Sequence, residues 1–260
     1  MPVSPEARSL AVFCDFENVA LGVREAKYAQ FDMDKVLERL LLKGSIVVKK
    51  AYCDWERYKE FKPAMHAASF EMIEIPHLRQ SGKNSADIRM VVDALDLCYT
   101  KEHVDTFVIV SGDSDFSPLV SKLRENAKTV IGVGVKNSSS DLLINNCDEF
   151  IYYDDLVRQD EQKRRAAKKR REGAPAGEDK KQEAYDVVLE TLNALIAERG
   201  AEEKIWGSMV KQALKRRKPG FNESYYGFRA FSDLLEEMQQ KALIKLDPDE
   251  KSGGYLIRPA

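Results

Sequence analysis

The sequence predicts two folded units. One is an α/β unit with a parallel sheet and helices on both faces; the other is a smaller unit of three helices closed by a two-stranded hairpin, a winged-helix pattern. Three observations predict this. Short apolar runs alternate with amphipathic stretches from residue 8 to residue 155. The next stretch, RQDEQKRRAAKKRREGAPAGEDKKQ over 158–182, is charged, is broken by Gly173-Ala-Pro-Ala-Gly177 and carries no core residues, which marks a linker. Beyond it the apolar period is helical until a pair of short apolar runs near the end of the sequence. The expected organisation is 1–157, a linker over 158–182, and 183–260.

Each element follows from its own residues. Leu10-Ala-Val-Phe-Cys14 reads as a buried strand, and Phe31 to Leu42 as a helix with Asp32 at its N-cap. Ser45 to Cys53 is a second strand, Tyr58 to Ser69 a helix, and Glu71 to Pro76 a third strand. Ser85 to Tyr99 is helical, with Ile88, Val91, Val92, Leu95 and Cys98 as its expected buried face. Thr106-Phe-Val-Ile-Val110 is the most strand-like run of the chain; a helix through Arg124, a strand over Thr129–Val135, a short helix near Asp141–Asn145 and a strand over Phe150–Tyr153 follow. In the second unit Glu183–Arg199, Trp206–Lys215 and Tyr226–Gln240 read as helices. Ala242–Leu246 and Tyr255–Ile257 form the hairpin.

The 41 basic and 43 acidic side chains leave a net charge of −2, and 43% of residues are hydrophobic, enough for a core. No apolar run approaches the ~20 residues of a membrane span. Met1 to Ser9 has no apolar run long enough for a signal peptide. Cys14, Cys53, Cys98 and Cys147 form no CxxC pair and lie at no zinc spacing from the three histidines; Cys14 and Cys98 fall among apolar residues, so buried free thiols in a reducing cytoplasm are expected there. Taken whole, −2 argues against a strongly basic nucleic-acid binder. By segment it does not. Residues 1–157 hold 19 basic and 25 acidic side chains, the linker 10 and 5, and residues 183–260 hold 12 and 13. An acidic unit therefore carries a basic arm, KRRAAKKRR, which reads as an electrostatic contact for RNA or, in a eukaryote, a nuclear-import tract.

The chemistry candidates are Asp15 and Asn18 in CDFEN, Asp87 in GKNSAD, and Asp113 and Asp115 in SGDSDF. Asp15 ends the first strand, Asp113 and Asp115 follow the fourth, and Asp87 lies in the first turn of the helix after the third. In an open parallel sheet all reach the carboxyl edge, where ligands bind, with strands one and four adjacent at the switch point. Clustered carboxylates repel unless a cation neutralises them, and an all-oxygen set favours Mg²⁺ or Mn²⁺. Such ions hold phosphate oxygens and activate water. The structural alternatives are a helix cap for Asp115 and an Asx turn for Asn18. Asp93 and Asp96 are expected to be solvated or ion-paired.

CDFEN, GKNSADIRMVVDAL and VIVSGDSDFSPLV, in this order, resemble the NYN domain, the LabA-like branch of the PIN-like nucleases. The resemblance covers residues 8–155. It implies a Rossmann-like sheet and a metal-dependent ribonuclease site, with Asp15, Asp87 and Asp113 as metal ligands and Asp115 a further acidic member. Asn18 and Ser111 become polar support, and Lys83 a phosphate contact. LKRRKPGFNESYYGFRAFSDLLEEM, with its SGGY wing, is similar to the LOTUS (OST-HTH) domain, which implies binding of RNA or of a protein partner. Lys215, Arg216, Arg217 and Lys218 beside Tyr225 and Tyr226 suit single-stranded nucleic acid, through phosphate contacts and base stacking. Phe221, Phe228 and Phe231 are expected to contribute at least two core residues. A metal-dependent endoribonuclease is the leading expectation; a non-catalytic RNA- or partner-binding adaptor is the alternative. Oligomeric state is left open.

Overall fold

Six strands form one sheet in the order β3-β2-β1-β4-β5-β6, every pair parallel, in a computed structural model that describes residues 8–28, 31–75, 85–161, 179–200, 203–249 and 254–260. The strands are β1 (Arg8–Asp15), β2 (Gly44–Cys53), β3 (Glu71–Glu74), β4 (Thr106–Val110), β5 (Thr129–Gly134) and β6 (Glu149–Tyr152). This order reverses between β1 and β4, the switch point at which doubly wound sheets open a crevice.

Both faces of the sheet are covered, which is why its central strands read as continuous apolar runs. Alternation along β1 sends Leu10, Val12 and Cys14 into one core and Ala11 and Phe13 into the other. The first core takes α1 (Phe16–Glu25), α2 (Met33–Lys43), α3 (Lys62–Ala67) and α7, the helical residues 153–161. The second takes α4 (Ser85–Thr100), α5 (Ser117–Glu125) and α6 (Asp141–Asn146). Asp32 caps α2 as expected, accepting the Asp34 N–H at 3.1 Å. Cys14, Cys53 and Cys98 are buried free thiols.

Three readings of this unit need correction. Helix α1 was not expected, because it follows β1 with no intervening turn signal: Asp15 is at once the last strand residue and the helix N-cap. The buried residues of α4 are Met90, Ala94 and Cys98, whereas Ile88 and Val92 are exposed. The helix expected over Tyr58–Ser69 is also shorter, a 3₁₀ turn leading into α3.

The chain divides into two compact units near residue 166. The second contains α8 (Asp179–Arg199), α9 (Gly207–Arg217), α10 (Phe231–Gln240) and the antiparallel pair β7 (Ile244–Pro248) and β8 (Tyr255–Pro259). Its core holds Tyr185, Leu192, Leu214, Leu235, Met238 and Ile257. The helix expected from Tyr226 starts only at Phe231. Gly227 takes the left-handed conformation at φ 88° and ends a separate 3₁₀ turn over Glu223–Tyr226. Gly173–Gly177 and most of the linker lie outside the described residues. No helix of the described residues is long and apolar enough to cross a membrane.

Candidate active site

Asp15 sits at the carboxyl end of β1, beside β4, and is buried although ionisable. Its carboxylate accepts the Asn18 N–H at 3.3 Å and the Ser111 hydroxyl at 3.0 Å. The same hydroxyl accepts the Asp113 N–H at 3.1 Å, so one serine links the two motifs. Asn18 adds a second link: its Oδ1 accepts the Gly112 N–H at 2.9 Å. Asn18, inside α1, thus clamps that helix to the loop after β4. Gly112 leaves room for the segment after β5, since a Cβ there would stand 2.4 Å from the Ser138 carbonyl oxygen.

Asp113 caps the turn Ser114–Phe116 by accepting the Asp115 N–H at 3.0 Å; Asp115 itself is exposed. The capping role considered for Asp115 therefore belongs to Asp113. Burial pushes the Asp15 carboxyl up to about 7, with the Asp87 charge adding, the Asn18 and Ser111 hydrogen bonds opposing, and Asp113 adding. Burial also pushes Asp87 up to about 6, reinforced by Asp113, Asp115 and Glu17. These mutual effects mark one acidic cluster formed by three separate motifs. Asp93 belongs elsewhere: against its burial, the Tyr52 hydroxyl, Lys50 and Arg89 hold it below the usual carboxylate range. Lys83 lies outside the described residues.

In the second unit the basic run is the last turn of α9 rather than an interhelical turn, with Lys218 as its C-cap. Lys215 and Lys218 are exposed and Arg216 is half-buried. Arg217, expected on a substrate surface, instead has a side chain only 4% exposed, paired with Glu190 at 2.8 Å and bonded to Thr191 at 3.3 Å. It is committed to the packing of α9 on α8. Tyr225 is 61% exposed, with the Lys180 ammonium 4.7 Å from its ring centroid. Tyr226 meets it edge-on at 5.0 Å and stacks on Phe221 at 5.2 Å. Phe228 and Phe231 are core residues.

Comparison with known proteins assigns each of the two units to a family. Residues 9–154 match the profile of the NYN domain, and residues 185–251 that of the OST-HTH/LOTUS domain. The chain belongs to the NYN family. NYN proteins are typically PIN-like nucleases, generally dependent on divalent metals, and a LOTUS domain implies RNA binding. The uncharacterized protein MJ0482 of Methanocaldococcus jannaschii is 30% identical over 125 residues. The match covers 48% of this chain and 49% of that protein, so the chain spans about half the length of this relative. The crystal structure of VPA0982, a protein of unknown function from Vibrio parahaemolyticus, resembles the NYN unit with a TM-score of 0.52 and 28% identity, covering 59% of this chain and 97% of that one.

The NYN unit supplies only hard oxygen donors at the cluster, a set that fits Mg²⁺ or Mn²⁺. Among the described residues, no three His, Cys, Asp or Glu side chains are drawn close enough to enclose an ion. Magnesium keeps several waters and needs only one or two carboxylates, a demand that Asp15 and Asp87 would meet. Sequence reasoning missed Glu17 and Arg57. Glu17, in the first turn of α1, acts electrostatically on Asp87 and pairs with the exposed Arg57 at 3.1 Å. Its place two residues after Asp15 in CDFEN was the available signal; Arg57, forty residues away in the loop after β2, gave none.

Proposed function

We propose that the NYN unit is a metal-dependent endoribonuclease, that the second unit and the basic arm hold its RNA, and that the domains run over 1–157 and 183–260. The observation that carries this is the buried Asp15 at the switch point, bonded to Ser111 and raised in pKa by its burial first, then by Asp87 and Asp113. Asp15, Asp87 and Asp113 are the residues that would hold Mg²⁺ or Mn²⁺, with Asp115 at the rim. When bound, the ion offsets the acidic repulsion, neutralises phosphate oxygens and makes water a better nucleophile. Ser111 and Asn18 fix Asp15 against the loop after β4, so the carboxylates meet a phosphodiester without rearrangement. Arg57, held by Glu17, and Lys83 contact flanking phosphates. Lys215, Arg216 and Lys218 engage the backbone farther along, and Tyr225 and Tyr226 offer a stacking surface for unpaired bases. The free buried thiols agree with a cytoplasmic setting.

A non-catalytic adaptor remains the second reading, favoured by the absence of a three-carboxylate enclosure among the described residues. Labelled single-stranded RNA incubated with Mn²⁺ separates the two. Wild type is expected to cut internally, and Asp15→Asn and Asp113→Asn to lose at least about a hundredfold in rate. Equal cleavage by all three sinks the nuclease reading; cleavage by none favours the adaptor. A DNA strand of the same sequence tests substrate preference. Removing residues 183–260 is expected to weaken RNA binding while sparing the acidic site, and unchanged affinity would point to a protein partner for that unit.

A further inference from the structure

Helix α4 has more apolar surface than its sheet can cover. Taking ~100° per residue, its apolar positions from Leu97 round to Val92 sweep about 200°, whereas a helix packed on one layer needs little more than about 100°. Met90, Ala94 and Cys98 are buried, and Val91, Leu95 and Leu97 pack partly against that core. The remainder is exposed, with the Tyr99 hydroxyl accepting from the Asn126 side-chain amide at 3.3 Å. Ile88 is 62% exposed, Val92 55% and Tyr99 62%, so three of the seven exposed large apolar side chains among the described residues lie on one helix. With the half-buried Leu95 they fall at i, i+4, i+7 and i+11, the d-a-d-a order of a heptad seam.

The charges beside this seam select its occupant. The residues next to the d positions, on the solvent side, are Arg89 and Asp96. Arg89 has a side chain 58% exposed and pairs with Asp93 at 3.0 Å; Asp96 is exposed. An antiparallel copy of the same helix sets Ile88 against Tyr99 and Val92 against Leu95 in every layer. It also brings Arg89 of each copy to Asp96 of the other, twice by symmetry. A parallel copy would instead set the two Arg89 and the two Asp96 on opposite edges of the pair, beside the Val91 and Cys98 positions and with no opposite charge across the seam. A two-fold interface demands this kind of self-complementarity, in which residue i meets j and j meets i.

We infer that the exposed stripe Ile88, Val92, Leu95 and Tyr99 of α4 is a homodimer seam, formed antiparallel with a second copy of this chain and fixed in register by Arg89–Asp96 pairs. The inference does not depend on the nuclease reading. In this register the two Asp87 residues stand roughly 20 Å apart along the helix pair, at opposite ends, so the dimer presents two separate acidic sites.

Sedimentation velocity of the full chain, over roughly a hundredfold range of concentration, tests it. Wild type is expected to move from 29.5 kDa toward twice that mass as concentration rises, while Val92→Glu stays at 29.5 kDa. Arg89→Glu and Asp96→Lys alone should each weaken association at least about tenfold, through like charges across the seam. The double variant should return to within about threefold of wild type, a rescue that misfolding cannot mimic. A wild type monomeric throughout, a dimer indifferent to Val92→Glu, or single reversals that cost nothing would each overturn the proposal. Single reversals without rescue would overturn the antiparallel register.

Discussion

Asp15 releases its proton near 7 in the folded chain, against an ordinary value of 3.8, so the folded state binds the proton more tightly than the unfolded state. Stability contributed by this group is therefore present below about pH 4, lost as pH rises through the window up to about 7, and fully lost above it. Asp15→Asn keeps an acceptor for Ser111 and removes the buried charge. Its melting temperature is expected to exceed wild type by on the order of 5 °C near pH 8 and to match it near pH 4, a difference of a few kcal/mol at most. Mn²⁺ should raise the wild-type melting temperature near pH 8 and leave the variant unmoved. Calorimetric scans across pH with and without Mn²⁺ check both statements. Identical pH profiles for the two proteins would mean that Asp15 is better solvated than its burial indicates.

At the scale of elements, α9 carries exposed cations and a packed one within a single turn. Lys215→Ala removes an exposed cation and should lower RNA affinity a few-fold without moving the melting temperature. Arg217→Ala leaves Glu190 and Thr191 without their partner and should destabilise the second unit by about 1–3 kcal/mol. Filter binding and thermal melts on the two variants check the contrast; the reverse pattern would reassign Arg217 to the surface. Adjacent basic letters cannot be told apart in a sequence, because the difference comes from α8 packing alongside. The strands were legible because a sheet covered on both faces writes uninterrupted apolar runs, as in Thr106–Val110. The face of α4 was misread because its apolar arc is too wide for one neighbour, so periodicity alone could not say which part meets the sheet. Asp15, Asp87 and Asp113 were legible as a set because each follows a strand or opens a helix at the same sheet edge. Ser111 and Asn18 could be named, but their bonds depend on β1 lying beside β4. Glu17 was missed because its significance comes from Arg57 in another loop.

Across the whole molecule, charge is partitioned: an acidic first unit, a linker with 10 basic and 5 acidic side chains, and a nearly neutral second unit. A polyanionic substrate is repelled by the first and drawn by the linker, so RNA affinity should fall steeply with salt. Replacing the basic residues of 163–171 with Gln and Ser is expected to flatten the slope of log K against log salt by several units, with little change in cleavage of a saturating short RNA. Titrations at a series of salt concentrations measure this; an unchanged slope would move the electrostatic contact to the folded units.

Ser111 bonds to a carboxylate ninety-six positions earlier in the chain. Synthesis runs from the first residue onward, so a nascent chain exposes CDFEN long before SGDSDF exists. During that interval the cleft lacks its second wall: Asp15 has no serine to orient it, and Asp113 has not yet been added. The acidic cluster is thus assembled only when β4 docks against β1, and a partly made chain emerging amid the RNA of the ribosome carries the carboxylates without the site.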